Sequence, residues 1–235
     1  MTTAEKLTKI AENQSKVFEA GKQAEYNRFW DSFQQNGNRN YYYAGFSSYG
    51  WTNETFKPKY SMNVSTSALM FYSSLIKGDL VELLDDLGVT LDFSQSTNMS
   101  STFALSMFSR VGVVDITSTI SSLSQLFYNC YYLETIDKLI LRADGNNNFT
   151  AGNHFTGCGE LKNITIEGVI GTTGFNMQYS PKLSKSSITS VINALSTTTS
   201  GLTVTLSKTA KESAFTADEW SALIATKPNW TISLA

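Results

Sequence analysis

The stretch Leu202-Thr203-Val204-Thr205-Leu206, near the C-terminus, recurs 28 residues later as Trp230-Thr231-Ile232-Ser233-Leu234. The segment before it, Asn193-Ala194-Leu195, recurs at the same spacing as Ser221-Ala222-Leu223. Each unit reads as a short helix that leads into a strand with alternating apolar residues. A period of this length is typical of a solenoid, whose units stack because one unit alone cannot bury its apolar side. Solenoids present extended surfaces, so the pattern favours binding over catalysis.

The same period extends upstream into two units that are rich in phenylalanine, cysteine and leucine. The pairs that lie 28 residues apart are Phe127 and Phe155, Cys130 and Cys158, Leu133 and Leu161, and Ile136 and Ile164. We expect these apolar residues to fill the inside of successive turns, each followed by a strand. The sequence predicts a looser earlier copy at Phe108, Val111, Val114 and Ile116, and a later one at Phe175 and Leu183.

These two units also resemble a known family. The segments LFYNCYYLETI (126–136) and HFTGCGELKNITI (154–166) are similar to the Phe-x-x-Cys-x-x-Leu-x-x-Ile core of BspA-like leucine-rich repeats. The resemblance covers residues 100–235, but the spacings of 19 from Phe108 to Phe127 and 20 from Phe155 to Phe175 depart from the family pattern. It implies an α/β fold, an irregular leucine-rich-repeat solenoid with short parallel strands, which we expect to follow a long N-terminal α-helix.

Three regions are predicted: an N-terminal helix over 1–36, an aromatic and asparagine-rich connector or cap over 37–66, and the repeat domain over 67–235. The apolar seam of the helix includes Leu7, Ile10, Val17 and Ala24. These residues lie three or seven positions apart, as on the contact side of a coiled-coil helix. This seam predicts either self-association as a dimeric or trimeric coiled coil, or a lone helix docked on its own domain. We expect oligomerisation or attachment to a partner, with these four residues at the contact.

The connector carries the aromatic residues that the sequence offers as ligand-surface candidates: Tyr41, Tyr42, Tyr43, Tyr49 and Trp51. Exposed aromatic rings provide flat faces for a carbohydrate, and the neighbouring asparagines provide hydrogen bonds. The alternative is that these rings cap the end of the repeat domain, since terminal repeats need a cover.

Strands are predicted at 90–94, 113–117, 139–142, 164–167, 202–206 and 230–234, and helices at 188–195 and 220–225. Thr216 and Glu219 predict a capping box ahead of the second of these helices. The last strand would leave an open apolar edge that needs a shield or a partner.

Composition narrows the function classes. The net charge is −2 and only 16% of residues are charged, with no basic cluster, so we expect no nucleic-acid partner. No apolar run approaches the roughly 20 residues that span a bilayer, and the N-terminus lacks the apolar core of a secretory signal.

The residues that could carry chemistry are few. His154 is the only histidine, and it falls at a predicted turn, so no catalytic residue, cofactor site or metal site is predicted. The two cysteines fit either a disulfide or half of a metal site, or the same interior slot in neighbouring units, which we favour. Asp144-Gly145-Asn146-Asn147-Asn148 resembles part of a calcium loop, but a tight Asp-Gly turn is the better interpretation.

The N-terminal stretch AEKLTKIAENQSKVFEAGKQAEYNRFWDSFQQNGNR (4–39), joined to such repeats, resembles proteins of phages and prophages of Gram-positive gut bacteria. We therefore expect a non-enzymatic virion protein, structural, decorating or fibre-like, that displays its repeat domain for attachment to the bacterial surface. Its partners would be copies of itself, other virion proteins, and a bacterial surface glycan or protein. The alternative is a leucine-rich-repeat adhesin or secreted binding protein of a bacterium.

Overall fold

The computed structural model describes residue 9 and residues 60–63, 70–74, 77–87, 89–93, 96–117, 123–149 and 152–235. These residues form nine strands and four helices. In chain order they are β1 (Tyr60–Asn63), β2 (Gly78–Asp79), α1 (Leu80–Leu87), β3 (Val89–Asp92), β4 (Phe108–Asp115), β5 (Thr135–Ile140), β6 (Asn163–Glu167), β7 (Asn176–Met177), α2 (Lys185–Ala194), β8 (Leu202–Leu206), α3 (Lys208–Ala214), α4 (Ala217–Ala225) and β9 (Trp230–Leu234).

The strands form three separate parallel sheets, in the orders β1-β3, β2-β4-β5-β6 and β7-β8-β9. The expected fold class, an irregular leucine-rich-repeat solenoid behind a long N-terminal helix, is therefore wrong as a description of this chain. The architecture is mixed α/β, and its described helices have only 7 to 10 residues. The predicted long helix falls on residues 1–36, where the structure describes only Lys9, which is helical and exposed.

Helix α2 ends the four-stranded sheet and so prevents one continuous sheet. The outer edge of β6 has backbone N–H groups that would normally donate hydrogen bonds to the carbonyls of a further strand. Instead, the Ile164 N–H donates to Ser187 Oγ at 2.9 Å, and the Ile166 N–H donates to Ser190 Oγ at 2.8 Å. These hydroxyls lie three residues apart on one face of α2, so they match two alternate N–H groups of the strand. Beyond β6, an isolated parallel bridge pairs Ile170 with Leu195, the residue at which α2 ends.

A column of five buried phenylalanines forms the centre of the core. The rings of Phe71, Phe103, Phe127, Phe155 and Phe175 follow one another with centroids 5.2–5.6 Å apart. Backbone bonds join the same turns: the Phe103 N–H donates to Leu126 O, and the Phe127 N–H to His154 O. Phe127 and Phe155 stack as the sequence echo predicts. The looser copy was misplaced, because the partner of Phe127 is Phe103, whereas Phe108 starts β4.

A second column, of small residues, runs beside the phenylalanines. Each of its members donates its N–H to the carbonyl of the residue three positions earlier, and the members are Ser74, Ser106, Cys130, Cys158 and Ser180. The thiols of Cys130 and Cys158 lie 3.0 Å from Phe103 O and 3.1 Å from Phe127 O. Both cysteines are free and buried. They therefore occupy the same interior slot in neighbouring turns, and serine fills that slot in the other turns.

The 28-residue repeat near the C-terminus corresponds to equivalent strands but not to equivalent helices. β8 and β9 pair in parallel with Leu202 opposite Trp230 and Leu206 opposite Leu234, which is the 28-residue offset. The predicted capping box of α4 is confirmed, since the Thr216 and Glu219 side chains bond reciprocally to each other's backbone N–H. Leu195, however, is buried where α2 ends, whereas Leu223 lies half-buried inside α4. The expected equivalence of these two leucines is therefore wrong, and α3 between them was not predicted.

Candidate binding surface

The residues that the sequence nominated for function lie outside the described part of the chain. The oligomerisation candidates are Leu7, Ile10, Val17 and Ala24, and the ligand-surface candidates are Tyr41, Tyr42, Tyr43, Tyr49 and Trp51. Both sets remain predictions. The site described below is built from other residues.

Three tyrosines project from the turns that follow the phenylalanine column. Tyr131, Tyr132 and Tyr179 are 57%, 52% and 48% exposed. Together they are called the tyrosine edge. Large aromatic side chains that are half exposed on an otherwise polar chain are candidates for recognition, because each offers an apolar face and a hydroxyl group.

Buried anchors on both sides force these rings outward. Tyr131 and Tyr132 lie between Cys130 and Leu133, which are each 1% exposed and are joined by a hydrogen bond from the Leu133 N–H to the Cys130 carbonyl. When both ends of a tight turn point inward, the two residues between them have no interior to enter.

Tyr179 occupies a different position in its turn. It lies between Met177 and Ser180, both fully buried, and the Ser180 N–H donates to Met177 O at 3.1 Å. Tyr179 therefore precedes the small-residue slot at Ser180, whereas Tyr131 and Tyr132 follow that slot at Cys130.

Ion pairs between successive turns neutralise the charges that accompany the tyrosines in sequence. Lys162 Nζ lies 2.8 Å from a Glu134 carboxylate oxygen, and Lys182 Nζ lies 2.6 Å from one of Glu160. The hydrogen bond from Lys182 lowers the pKa of Glu160, and the bond to Glu134 raises the pKa of Lys162. Each lysine is therefore balanced by the carboxylate of a neighbouring turn. A neutral polar ligand suits such a surface better than an anion or a cation.

A second charge network ties three strands of the four-stranded sheet together. Arg110 on β4 donates two hydrogen bonds to Asp137 on β5, both at 2.8 Å, and a third to Asp79 on β2 at 2.9 Å. These bonds raise the pKa of Arg110 above its usual value. The bidentate geometry orients the guanidinium precisely. The network fixes the positions of the strands, and its donors and acceptors are already engaged.

The histidine and the two cysteines are buried in the core. His154 is 1% exposed, its ring meets Phe149 edge-on at 5.1 Å, and burial lowers its pKa to about 4. Burial raises the pKa of Cys130 to about 12 and raises that of Cys158 as well. A neutral imidazole and protonated thiols in the core behave as packing groups.

The asparagine-rich segment after β5 is a turn that satisfies itself. The Arg142 guanidinium donates to both carboxylate oxygens of Asp144, one contact at 2.9 Å, and holds the pKa of that carboxyl at about 2. Asn147 accepts from the Arg142 N–H at 2.7 Å and donates to Val169 O. Gly145 has a φ of +75°, and a Cβ there would lie 2.8 Å from Gly171 Cα. The Asp-Gly turn is therefore confirmed as the interpretation of this segment.

A shallow groove of 910 Å³ runs along the outer side of α2. It is lined mainly by hydroxyl and amide side chains, with Ser184, Ser186, Thr189 and Asn193 among them. Its lysine, Lys185, is paired with Glu219 at 2.6 Å. The groove is open, and one of its serines, Ser190, already bonds to the Ile166 N–H of β6.

Sequence reasoning missed the tyrosine edge although a signal was present. Tyr131 and Tyr132 stand inside the motif LFYNCYYLETI, between two positions assigned to the interior. That placement favours rings that point outward. Tyr179 was harder to find, because it precedes the small-residue slot at Ser180, whereas Tyr131 and Tyr132 follow that slot at Cys130.

The last findings concern membrane helices, metal sites and similarity to known proteins. In the described residues, no helix is long and apolar enough to cross a membrane, and no three acidic, histidine or cysteine side chains come together as a metal site. No protein-family model matches the chain, and no match was found among curated proteins or solved structures.

Proposed function

We propose that this protein is a non-enzymatic structural and attachment protein of a bacteriophage particle, and that its tyrosine edge binds a neutral glycan of the bacterial envelope. The observation that carries the proposal is the exposure of Tyr131, Tyr132 and Tyr179 on turns that lie beside the buried phenylalanine column. Sugar rings present apolar C–H faces and hydroxyl groups, which match the two ends of a tyrosine side chain.

The surrounding charges support a neutral ligand. Glu134, Glu160, Lys162 and Lys182 are engaged in pairs, so the edge offers no unbalanced charge from these residues. Three aromatic contacts give weak affinity for a single copy. Many copies on one particle would raise the overall affinity by about 100-fold or more, because later contacts form within an already bound particle.

The core supports binding as the role instead of catalysis. The pKa of His154 is about 4 and that of Cys130 about 12, so neither group can exchange a proton efficiently near neutral pH. The N-terminal residues 1–36 would attach the protein to the particle in this proposal. That part of the proposal rests on the sequence resemblance to phage and prophage proteins.

The test measures binding to purified cell-wall polysaccharide of the host bacterium, immobilised on a sensor surface. The triple variant Tyr131→Ala, Tyr132→Ala, Tyr179→Ala is expected to lose at least about tenfold in affinity, which corresponds to about 1.4 kcal/mol. The matched control is Val113→Ala, because Val113 is 53% exposed but lies on β4. Equal affinity of the triple variant and the wild type would contradict the proposal.

The particle assignment has a separate test. Mass spectrometry of purified phage particles is expected to detect this chain in a fixed ratio to the major capsid protein. Its detection on the bacterial envelope in cells that produce no particles would favour the adhesin instead.

A further inference from the structure

The outer edge of β9 presents backbone groups that no other described strand pairs with. In the parallel pair β8-β9, the Ala235 N–H donates to Leu206 O, so the odd-numbered residues of β9 direct their backbone groups towards β8. The even-numbered residues, Ile232 and Leu234, therefore direct their N–H and C=O groups to the opposite side. Among the strands that the structure describes, β9 pairs only with β8.

The two sheet ends differ in a way that points to an occupant. At β6, the Ser187 and Ser190 hydroxyls of α2 bond to the exposed N–H groups. At β9, no described residue plays that role. The strand also lacks the charges and prolines that usually block edge pairing, since its sequence is Trp-Thr-Ile-Ser-Leu. Lys227, the nearby cation, is turned inward, where its ammonium donates to the carbonyls of Asn193 and Leu195.

An apolar groove continues from this edge. It has a volume of 410 Å³, and its lining includes Ile224 of α4 together with Trp230 and Ile232 of β9. The side chains of Ile224, Ile232 and Leu234 pack against the core but remain partly exposed. A strand added at this edge would therefore gain backbone bonds and would also bury apolar surface.

We propose that this edge pairs with β9 of a second copy of the chain, antiparallel, across a two-fold axis at Ile232. This interface is independent of the tyrosine edge and of residues 1–36. The register follows from the backbone, because residues that face each other must both be even-numbered. It brings Ile232 opposite the partner's Ile232, and Trp230 opposite the partner's Leu234.

The strand is self-complementary in this register. The two Ile232 residues exchange a pair of N–H···O=C bonds, and each Leu234 N–H donates to the partner's Trp230 carbonyl. The Trp230 N–H is already bonded to Lys227 O and is not required. The side chains of Ile232 from both copies then meet on the core face, beside Ile224 of each. A two-fold interface of this kind closes on itself and gives a dimer.

The test uses the full-length chain in analytical ultracentrifugation. The wild type is expected to be a dimer. Ile232→Pro removes the outward N–H together with the partly buried isoleucine side chain, and proline is tolerated at a strand edge, so it is expected to yield a folded monomer with an unchanged circular dichroism spectrum. The control Ile232→Val keeps the N–H and is expected to remain a dimer. A monomeric wild type, or a dimer that survives in folded Ile232→Pro, would overturn the proposal.

A cysteine pair tests the register even if Ile232→Pro does not fold. In the proposed dimer, Thr231 of one copy faces Ser233 of the other at a non-hydrogen-bonded site, where side chains approach closely. The variant Thr231→Cys, Ser233→Cys is expected to form an intermolecular disulfide under mild oxidation. The control Thr203→Cys, Thr205→Cys lies on the interior strand β8 and is expected not to cross-link between chains. Failure of the β9 pair to cross-link would refute the antiparallel register.

Discussion

Replacing Phe127 with alanine removes the central ring of the phenylalanine column. The ring is fully buried and stacks on Phe103 at 5.2 Å and on Phe155 at 5.6 Å. Truncation of a buried phenylalanine costs about 3–5 kcal/mol, and each lost aromatic contact accounts for about 0.5–1.5 kcal/mol. We therefore expect Phe127→Ala to lower the free energy of unfolding by about 4–5 kcal/mol. A domain of typical stability has only about 5–15 kcal/mol in total, so the variant would be barely folded.

Urea unfolding followed by circular dichroism measures this loss. Phe127→Leu keeps most of the apolar volume but no ring, so we expect a smaller cost of about 1–2 kcal/mol. Tyr131→Ala is the surface control, because its ring is largely exposed and its loss is expected to change the stability by no more than about 0.5 kcal/mol. If Phe127→Ala cost less than about 1.5 kcal/mol, the column would not be the centre of the core.

Three further predictions concern the core and the sheet edge. Cys130→Ser is expected to cost less than about 1 kcal/mol in urea unfolding, since serine fills the same slot in other turns; a loss above about 3 kcal/mol would argue against the slot. Ser187→Ala leaves the Ile164 N–H without its acceptor and is expected to cost about 1–3 kcal/mol, against almost nothing for the exposed control Ser186→Ala; equal costs would contradict the edge contact. The pKa of His154 is about 4 in the folded protein and 6.5 for an ordinary histidine, so between these pH values the unfolded state binds more protons than the folded state. The free energy of unfolding therefore decreases as the pH falls from 6.5 to 4, by up to about 1.4 kcal/mol per pH unit. His154→Phe should flatten that part of the pH profile, and an unchanged slope would show that another group is responsible.

Local periodicity predicted some of the regular elements but not the fold class. Strands β8 and β9 were placed at their observed bounds, because an alternating pattern between turn residues has few other solutions. The stacking of Phe127 on Phe155 followed from an identical spacing in two adjacent units. The capping box at Thr216 and Glu219 is a local interaction that needs no tertiary information.

The features that depend on distant segments could not be predicted from the sequence. Phe71 and Phe103 join the column at spacings of 32 and 24 residues, so no single period reveals them. The break between the sheets depends on Ser187 and Ser190, which read locally as ordinary polar helix residues. Their role appears only when α2 is known to lie against β6.

The residues of the candidate site were not predicted from the sequence. An aromatic surface was expected at Tyr41–Tyr43, Tyr49 and Trp51, on a segment outside the described residues. The described tyrosine edge instead arises from the interior motif itself. Tyr131 and Tyr132 lie between two buried residues of one tight turn, and this placement was already visible in the motif.

The most direct test of the account follows the tyrosine rings while the ligand binds. The protein, with its 11 tyrosines isotopically labelled, is titrated with soluble host cell-wall polysaccharide and observed by NMR. The account predicts shifts for the ring signals of Tyr131, Tyr132 and Tyr179, assigned through single Tyr→Phe variants, and none for the half-buried Tyr128. Shifts confined to other tyrosines, or no shift at saturating polysaccharide, would contradict it.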